Sequence, residues 1–286
     1  MRIILVVGLA LTACSQATPP TSTEFDGNEA HAWAAWQMAL GPRIPGSAAH
    51  SDAASGIVRG LEAVDWVVER QAFEYFGTGL ENIVARRGGE GEPVVILGAH
   101  YDTRPAANMD ALDPSMPVPG ANDGASGVAV LLEMARVLAA RAPGRTVWLV
   151  FFDGEDSGSI AGWDWVVGSR EFVSRLTIRP EAVVIVDMVG DADLQLYWER
   201  NSDPAIEADI WQTAARLGHS AFIPEARHSL LDDHTPFLQA GIPAVDIIDF
   251  DYPYWHTTED TLDKISAASL EQVGRTLVAW LSGPDS

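Results

Sequence analysis

An α/β fold with a mixed, largely parallel sheet sandwiched by helices is predicted by three features of the sequence. Short apolar runs stand at Pro93-Val94-Val95-Ile96-Leu97, Val147-Trp148-Leu149-Val150-Phe151-Phe152 and Val183-Val184-Ile185-Val186. None of them alternates with polar residues, so each reads as a strand buried on both faces, the mark of a parallel sheet covered by helices. Each run breaks off into acids or histidine: Gly98-Ala99-His100-Tyr101-Asp102, Asp153-Gly154-Glu155-Asp156 and Asp187. Ligands of α/β sheets bind beyond the carboxyl ends of such strands, so His100, Glu155, Asp156 and Asp187 should converge there.

The remaining elements follow in order. Helical spacing appears over 31–40, 51–62, 126–140, 164–176, 204–217 and 261–281, and strand-like stretches over 66–75, 82–86, 194–198 and 244–248. Strands alternating with helices, with adjacent strands early on, imply a single domain without repeats or internal linkers. The chain is divided into a leader over 1–13, a tether over 14–29 and a catalytic domain over 30–286.

The leader is read from Arg2, the apolar stretch Ile3 to Ala10 and Leu11-Thr12-Ala13-Cys14, which is similar to a bacterial lipoprotein signal with its lipobox. The stretch is too short for a spanning helix. Cys14, the only cysteine, forms no internal disulfide and is expected to be the lipidated first residue of a protein anchored at the bacterial cell envelope, on the periplasmic face if the cell is Gram-negative. The Ser-, Thr- and Pro-rich residues after it suit a flexible tether.

Charge excludes other classes. The formal net charge is −22 and Lys264 is the only lysine. Such a surface does not bind nucleic acid or anionic lipid through basic groups, which leaves the lipid as the only expected membrane contact.

Two further polar groups lie in loops that open helices. Gly120-Ala121-Asn122-Asp123-Gly124-Ala125-Ser126-Gly127 precedes an amphipathic run, where the plainest role for Asp123 is an N-cap. Tyr254-Trp255-His256-Thr257 precedes the last helix, and a lone loop histidine is usually solvated. Together the positions mean more. Asp123, Asp156 and His256 make a one-nitrogen, two-carboxylate set suited to a catalytic Zn²⁺ with an open position. His100 and Asp187 suit a second ion bridged by Asp123, and Glu155, beside the ligand Asp156, is placed to be a general base.

These motifs, Gly98 to Thr103, Gly120 to Gly127, Gly154-Glu155-Asp156 and Trp255-His256-Thr257, resemble the metal-site motifs of the co-catalytic zinc aminopeptidase superfamily. The resemblance implies the aminopeptidase-type fold, with Asp123, Asp156 and His256 as ligands and Glu155 as acid/base. Within it, Phe151 to Asp156, Trp163, Gly168-Ser169-Arg170 and Asp232-Asp233-His234-Thr235-Pro236-Phe237 look most like glutaminyl-peptide cyclotransferases, which turn N-terminal glutamine into pyroglutamate. That implies peptides with N-terminal Gln as substrates and one zinc per chain, two remaining possible. It also implies Asp187 and Asp232 as proton-sharing partners of Glu155, and Trp163 and Trp255 as walls of the glutamine pocket. Asp232 discriminates, because aminopeptidases commonly carry a small residue there. Two departures are Asp156, where animal cyclases carry Glu, and Asp246, which replaces a histidine and whose role stays open. The alternatives are a di-zinc aminopeptidase and a non-catalytic, lipid-anchored binding module; retention of Glu155 argues against the latter.

Overall fold

A computed structural model describes residues 23–89, 93–141 and 145–283. Cys14 and the leader lie outside the described residues. Seven α-helices and eight strands follow in the order α1 (Gly27–Leu40), α2 (Ala48–Glu62), β1 (Val67–Tyr75), β2 (Thr78–Arg87), β3 (Val94–His100), α3 (Ala125–Ala140), β4 (Thr146–Phe152), α4 (Val167–Arg175), β5 (Ala182–Asp187), β6 (Leu196–Glu199), α5 (Pro204–Leu217), β7 (Phe222–His228), α6 (Thr235–Gln239), β8 (Ala244–Ile248) and α7 (Ala267–Ser282).

Six strands form one sheet in the order β1-β2-β4-β3-β5-β8, while β6 and β7 pair separately in parallel. The β1–β2 and β2–β4 pairs are antiparallel; β4, β3, β5 and β8 run parallel. The apolar runs are continuous because both faces of these strands are covered. Val95 and Leu97 of β3, Leu149 and Phe151 of β4, and Val184 and Val186 of β5 face a core shared with α1, α3 and α7. Their neighbours Ile96, Val150, Phe152, Val183 and Ile185 face a second core with Phe172 of α4 and Phe237 beside it. Removing such side chains from water is the main driving force of folding, about 1.5–3 kcal/mol each.

Helix α3 is buried along nearly its whole length. Its close approach to the sheet depends on Gly127, where a Cβ would lie 2.1 Å from the carbonyl oxygen of Val186. That approach delivers the loop ahead of α3, and Asp123 with it, to the carboxyl end of the sheet.

Three expectations need correction. The tether does not reach residue 29: α1 begins at Gly27 behind an Asp26 cap, and Phe25 is only 4% exposed, its ring lying where a Cβ on Gly274 of α7 would stand. Apolar burial at Phe25 overrides the polar composition around it. The last helix starts at Ala267, not Thr261, because the Ser266 side chain caps it by accepting from the Ser269 amide; Leu262–Lys264 form a separate 3₁₀ turn. Strand β7 and helix α6 were not foreseen, the first being a largely exposed polar strand and the second a single short turn after His234.

Candidate active site

The parallel strands end side by side, His100 opposite Phe152 and Asp187 opposite Ile248. The loops beyond them are held by buried polar groups that leave the site's own side chains free. Asp102 accepts from the amides of Glu155 (3.1 Å) and Asp156 (3.2 Å), which fixes the turn after β4. Asp260 does the same for the loop ahead of α3, accepting from the amides of Asn122 (2.8 Å) and Asp123 (3.1 Å) and from the Tyr252 hydroxyl (2.7 Å). Arg43, fully buried, donates to the carbonyls of Tyr101, Pro119 and Gly120 and so ties the first loop to the second. Asp123 is therefore not a helix cap: Gly124 occupies that position and no side chain caps α3.

Asp123, Asp156 and His256 meet, each offering a ligand atom within 4.8 Å of the others, and all three are buried. His256 Nε2 lies 3.0 Å from Asp156 Oδ1 and 3.6 Å from Asp123 Oδ2. The fit to a cation can be tested on what these groups lack. Asp123 Oδ2, Asp156 Oδ2 and His256 Nδ1 are buried without a hydrogen-bond partner. Buried carboxylate oxygens are normally paired, and a divalent ion would satisfy both acids at once. Two carboxylates and one imidazole suit a zinc site with room for a further ligand. The backbone of His256 sits at φ +54°, a conformation that costs of order 1 kcal/mol or more and is concentrated at functional sites. Its ring is stacked between Trp255, 3.8 Å away, and Trp165, 6.0 Å away and parallel within 4°.

A second group adjoins the first. His100 Nε2 lies 3.2 Å from both Asp123 Oδ1 and Asp187 Oδ1, and these three side chains also meet the spacing for an ion. Arg104 contacts the Asp156 carboxylate at 3.3 Å and lies over the Trp165 ring at 4.8 Å.

A cavity of about 350 Å³ opens onto this cluster. Asp123, Glu155, Asp187, Asp232 and His256 line its acidic side, and Trp165, Leu230, Leu231, Phe250 and Trp255 are among its apolar walls. No lysine or arginine lines it. Trp255 stands where the sequence put it. Trp163 does not: it packs edge-on against Tyr75, 5.2 Å between centroids, and the indole in the cavity wall is Trp165. Gly158 makes room for that indole, since a Cβ there would lie 2.0 Å from its ring. The two tryptophans are two residues apart and indistinguishable by composition, so only the path of the loop separates them.

Burial and mutual repulsion disturb the acids strongly. Burial raises Glu155 well above the ordinary carboxyl value, and the negative Asp232 and Asp156 add to this against the pull of His100. Burial likewise raises Asp156 to about 6 and Asp187 to about 7. Asp123 is lowered instead: burial opposes ionisation there, but the hydrogen bond and charge of His100 outweigh it. Acids pushed apart in this way are what proton transfer near neutrality needs.

Behind the cavity, His234 is fully buried, 3.3 Å from Glu199 and 3.6 Å from Asp246, so it braces the loop and stays away from the metal cluster. His50 is structural, pairing with Asp153 at 2.7 Å. Asp102, Asp260, Arg43, Arg104 and Trp165 were not singled out from sequence; Asp102 alone carried a signal, as the third residue of His100-Tyr101-Asp102.

The profile of Peptidase family M28 matches residues 82–281. Among solved structures, the glutaminyl cyclase of Porphyromonas gingivalis superposes with a TM-score of 0.85 at 34% identity, covering 90% of this chain and 98% of that one. A Zn-dependent exopeptidase from Parabacteroides distasonis gives a TM-score of 0.85 at 30% identity, covering 91% and 99%. Aminopeptidase YwaD of Bacillus subtilis is 30% identical over 206 residues, 65% of this chain; the match spans only 40% of YwaD. The family and the exopeptidase neighbour imply zinc.

Proposed function

This chain belongs to peptidase family M28, and on that premise we propose that it is a glutaminyl-peptide cyclotransferase, converting N-terminal glutamine of peptides to pyroglutamate with release of ammonia. The observation that carries the reading is the presence of Asp232 in the same cavity as Glu155, Asp187 and His256. A cavity of this size with apolar walls and a few convergent polar groups suits a single terminal residue of a peptide.

Asp123, Asp156 and His256 would hold one zinc ion, which when bound supplies Lewis-acid polarisation of the side-chain amide oxygen. Trp165 and Trp255 present flat apolar faces that orient the glutamine side chain and exclude water, which would otherwise compete with the amine. The carboxylates lining the cavity favour entry of a peptide's amino end, which reacts as the free amine. Glu155 takes a proton from the α-amine as its nitrogen forms a bond to the amide carbon, and gives that proton to the departing nitrogen as the old C–N bond breaks and ammonia leaves. The raised proton affinity of Glu155 fits both halves of this exchange. The negative charge of Asp232 favours the protonated form of Glu155, and Asp187, raised to about 7, is placed to share that proton.

A second reading, a di-zinc aminopeptidase, is favoured by one observation: His100, Asp123 and Asp187 also meet the spacing for an ion. In that case Glu155 serves as base for attack of water on the peptide bond. Mass spectrometry of a Gln-initiated and a Leu-initiated peptide separates the two. The cyclase reading expects a Gln-peptide lighter by one ammonia with its next peptide bond intact and one zinc per chain by metal analysis; free Leu without any pyroglutamyl product overturns it.

A further inference from the structure

Behind the wall of the cavity lies a buried polar circuit, open at His234, that the chemistry above does not use. Glu199, the last residue of β6, is 2% exposed. Its Oε2 accepts from the Asn201 amide (2.8 Å), the Ser202 amide (2.8 Å) and the Ser202 hydroxyl (3.1 Å), while its Oε1 accepts from the Leu230 amide (2.8 Å). His234 Nε2 stands 3.3 Å from the same Oε2, and His234 Nδ1 stands 3.6 Å from Asp246 Oδ2. The Asp246 amide donates to Ser202 Oγ at 3.0 Å, while both Asp246 carboxylate oxygens and both His234 ring nitrogens make no hydrogen bond. Asp246 and the cavity-lining Ile248 are two residues apart on β8, so this circuit lies one side-chain repeat beneath the cavity floor.

One carboxylate thus holds the segment from Ser229 to His234 through the Leu230 amide, with the His234 ring within ion-pair distance of it but not hydrogen-bonded. Leu230, Leu231 and Asp232 between them line the cavity. The segment belongs to no helix or strand until α6 begins at Thr235; at its start the Asn201 side chain also donates to the Leu230 carbonyl (3.1 Å), and at its end Asp232 is tied to Thr235, so Glu199 is what holds the Leu230 amide. Charge-assisted bonds from backbone amides to a buried carboxylate are strong, and they hold Glu199 below its ordinary value: burial opposes ionisation, but His234, the Leu230 amide and Ser202 together outweigh it.

We propose that Glu199 is a positioning residue for the substrate cavity, fixing the Leu230–Leu231 wall through the Leu230 amide, without touching substrate. The inference rests on the reading that this cavity takes the substrate. It has a sharp chemical test, because Glu199→Gln keeps the volume but leaves a single oxygen. Three donors converge on one side and one on the other, so the oxygen stays with Asn201 and Ser202, and the new amide group faces the Leu230 N–H, donor against donor.

The expected result for Glu199→Gln is a Leu230 amide that exchanges with solvent at least about tenfold faster, with KM raised about tenfold, kcat within about threefold and zinc content unchanged. A purely structural role would lower the active fraction, cutting apparent kcat at constant KM; that outcome, or wild-type exchange at Leu230, overturns the proposal. Should Glu199→Gln be insoluble, Glu199→Asp, which keeps the charge but draws the carboxylate back from the Leu230 amide, is judged by the same readouts. Kinetics are taken on whichever peptide, Gln- or Leu-initiated, the wild type turns over. Absence of pyroglutamyl product therefore counts against the cyclase reading alone, while the exchange measurement still decides this one.

Discussion

Asp153 and Asp156 are three residues apart in one turn, both are completely buried, and they live in opposite surroundings. Asp153 is saturated: Oδ1 pairs with His50 at 2.7 Å, and Oδ2 accepts from the Tyr101 hydroxyl and the Glu81 amide, each at 2.8 Å. Asp156 faces Asp123 and His256 with Oδ2 unpartnered. A buried acid whose lone pairs are all used holds the fold; Asp156, with an oxygen left over beside Asp123 and His256, is free to take a ligand there. The residue type is the same, and only the census of donors tells the two roles apart.

The largest effects expected are those that break the unsatisfied side. His256→Ala or Asp123→Ala should leave protein without zinc by metal analysis and without measurable turnover. Glu155→Gln should keep both metal and thermal midpoint while kcat falls by at least about 10²-fold, since the shape stays and the base goes; activity close to wild type would remove Glu155 from its assigned role.

The satisfied side should fail in the other currency. Asp153→Ala strands His50, Tyr101 and the Glu81 amide, and breaking a buried pair from one side costs about 3–5 kcal/mol, read as a lower midpoint in urea. Any folded fraction should still bind zinc. If Asp153→Ala instead lost metal with its stability intact, the contrast between the two acids would collapse.

A smaller effect sharpens the cavity assignment. Trp165→Ala should raise KM about tenfold, and Trp163→Ala less than about threefold, because only the first ring faces substrate. The reverse order would restore Trp163 to the pocket.

The smallest is a pH effect on stability. Burial pulls His50 down, but the hydrogen bond and charge of Asp153 outweigh it and raise the histidine above 6.5; burial raises Asp153 as well, against the pull of His50. The folded pair therefore holds protons more tightly than the unfolded chain. The stability it supplies is complete below pH 6.5 and is lost as pH rises through the folded histidine value. The stability difference between wild type and His50→Asn, measured by urea unfolding, should shrink as pH rises from 6 to about 9; a constant difference would show that no linked proton is involved.

Most of the fold was legible because burial on two faces leaves a plain record, as in Val183 to Val186. That Asp123, Asp156 and His256 meet was legible too, since each follows a strand or precedes a helix in a recognisable motif. What could not be read was anything set by the course of a loop: which of Trp163 and Trp165 turns inward, that Asp102 and Asp260 spend their oxygens on backbone amides, that Phe25 belongs to the core. Those outcomes depend on contacts between residues far apart in sequence. Local pattern carries no trace of them.

The seat of Phe25 has a consequence for how the chain is made. Its ring rests on Gly274, Glu24 pairs with Arg275 at 3.1 Å, and α1 packs between α3 and α7. During synthesis α1 leaves the ribosome early, and α7 about two hundred and forty residues later, at about 5–20 residues per second. For that interval of ten seconds or more, roughly, the face of α1 that carries Ala30 and Ala34 lacks its α7 partner. The first helix among the described residues is thus among the last to be fully covered.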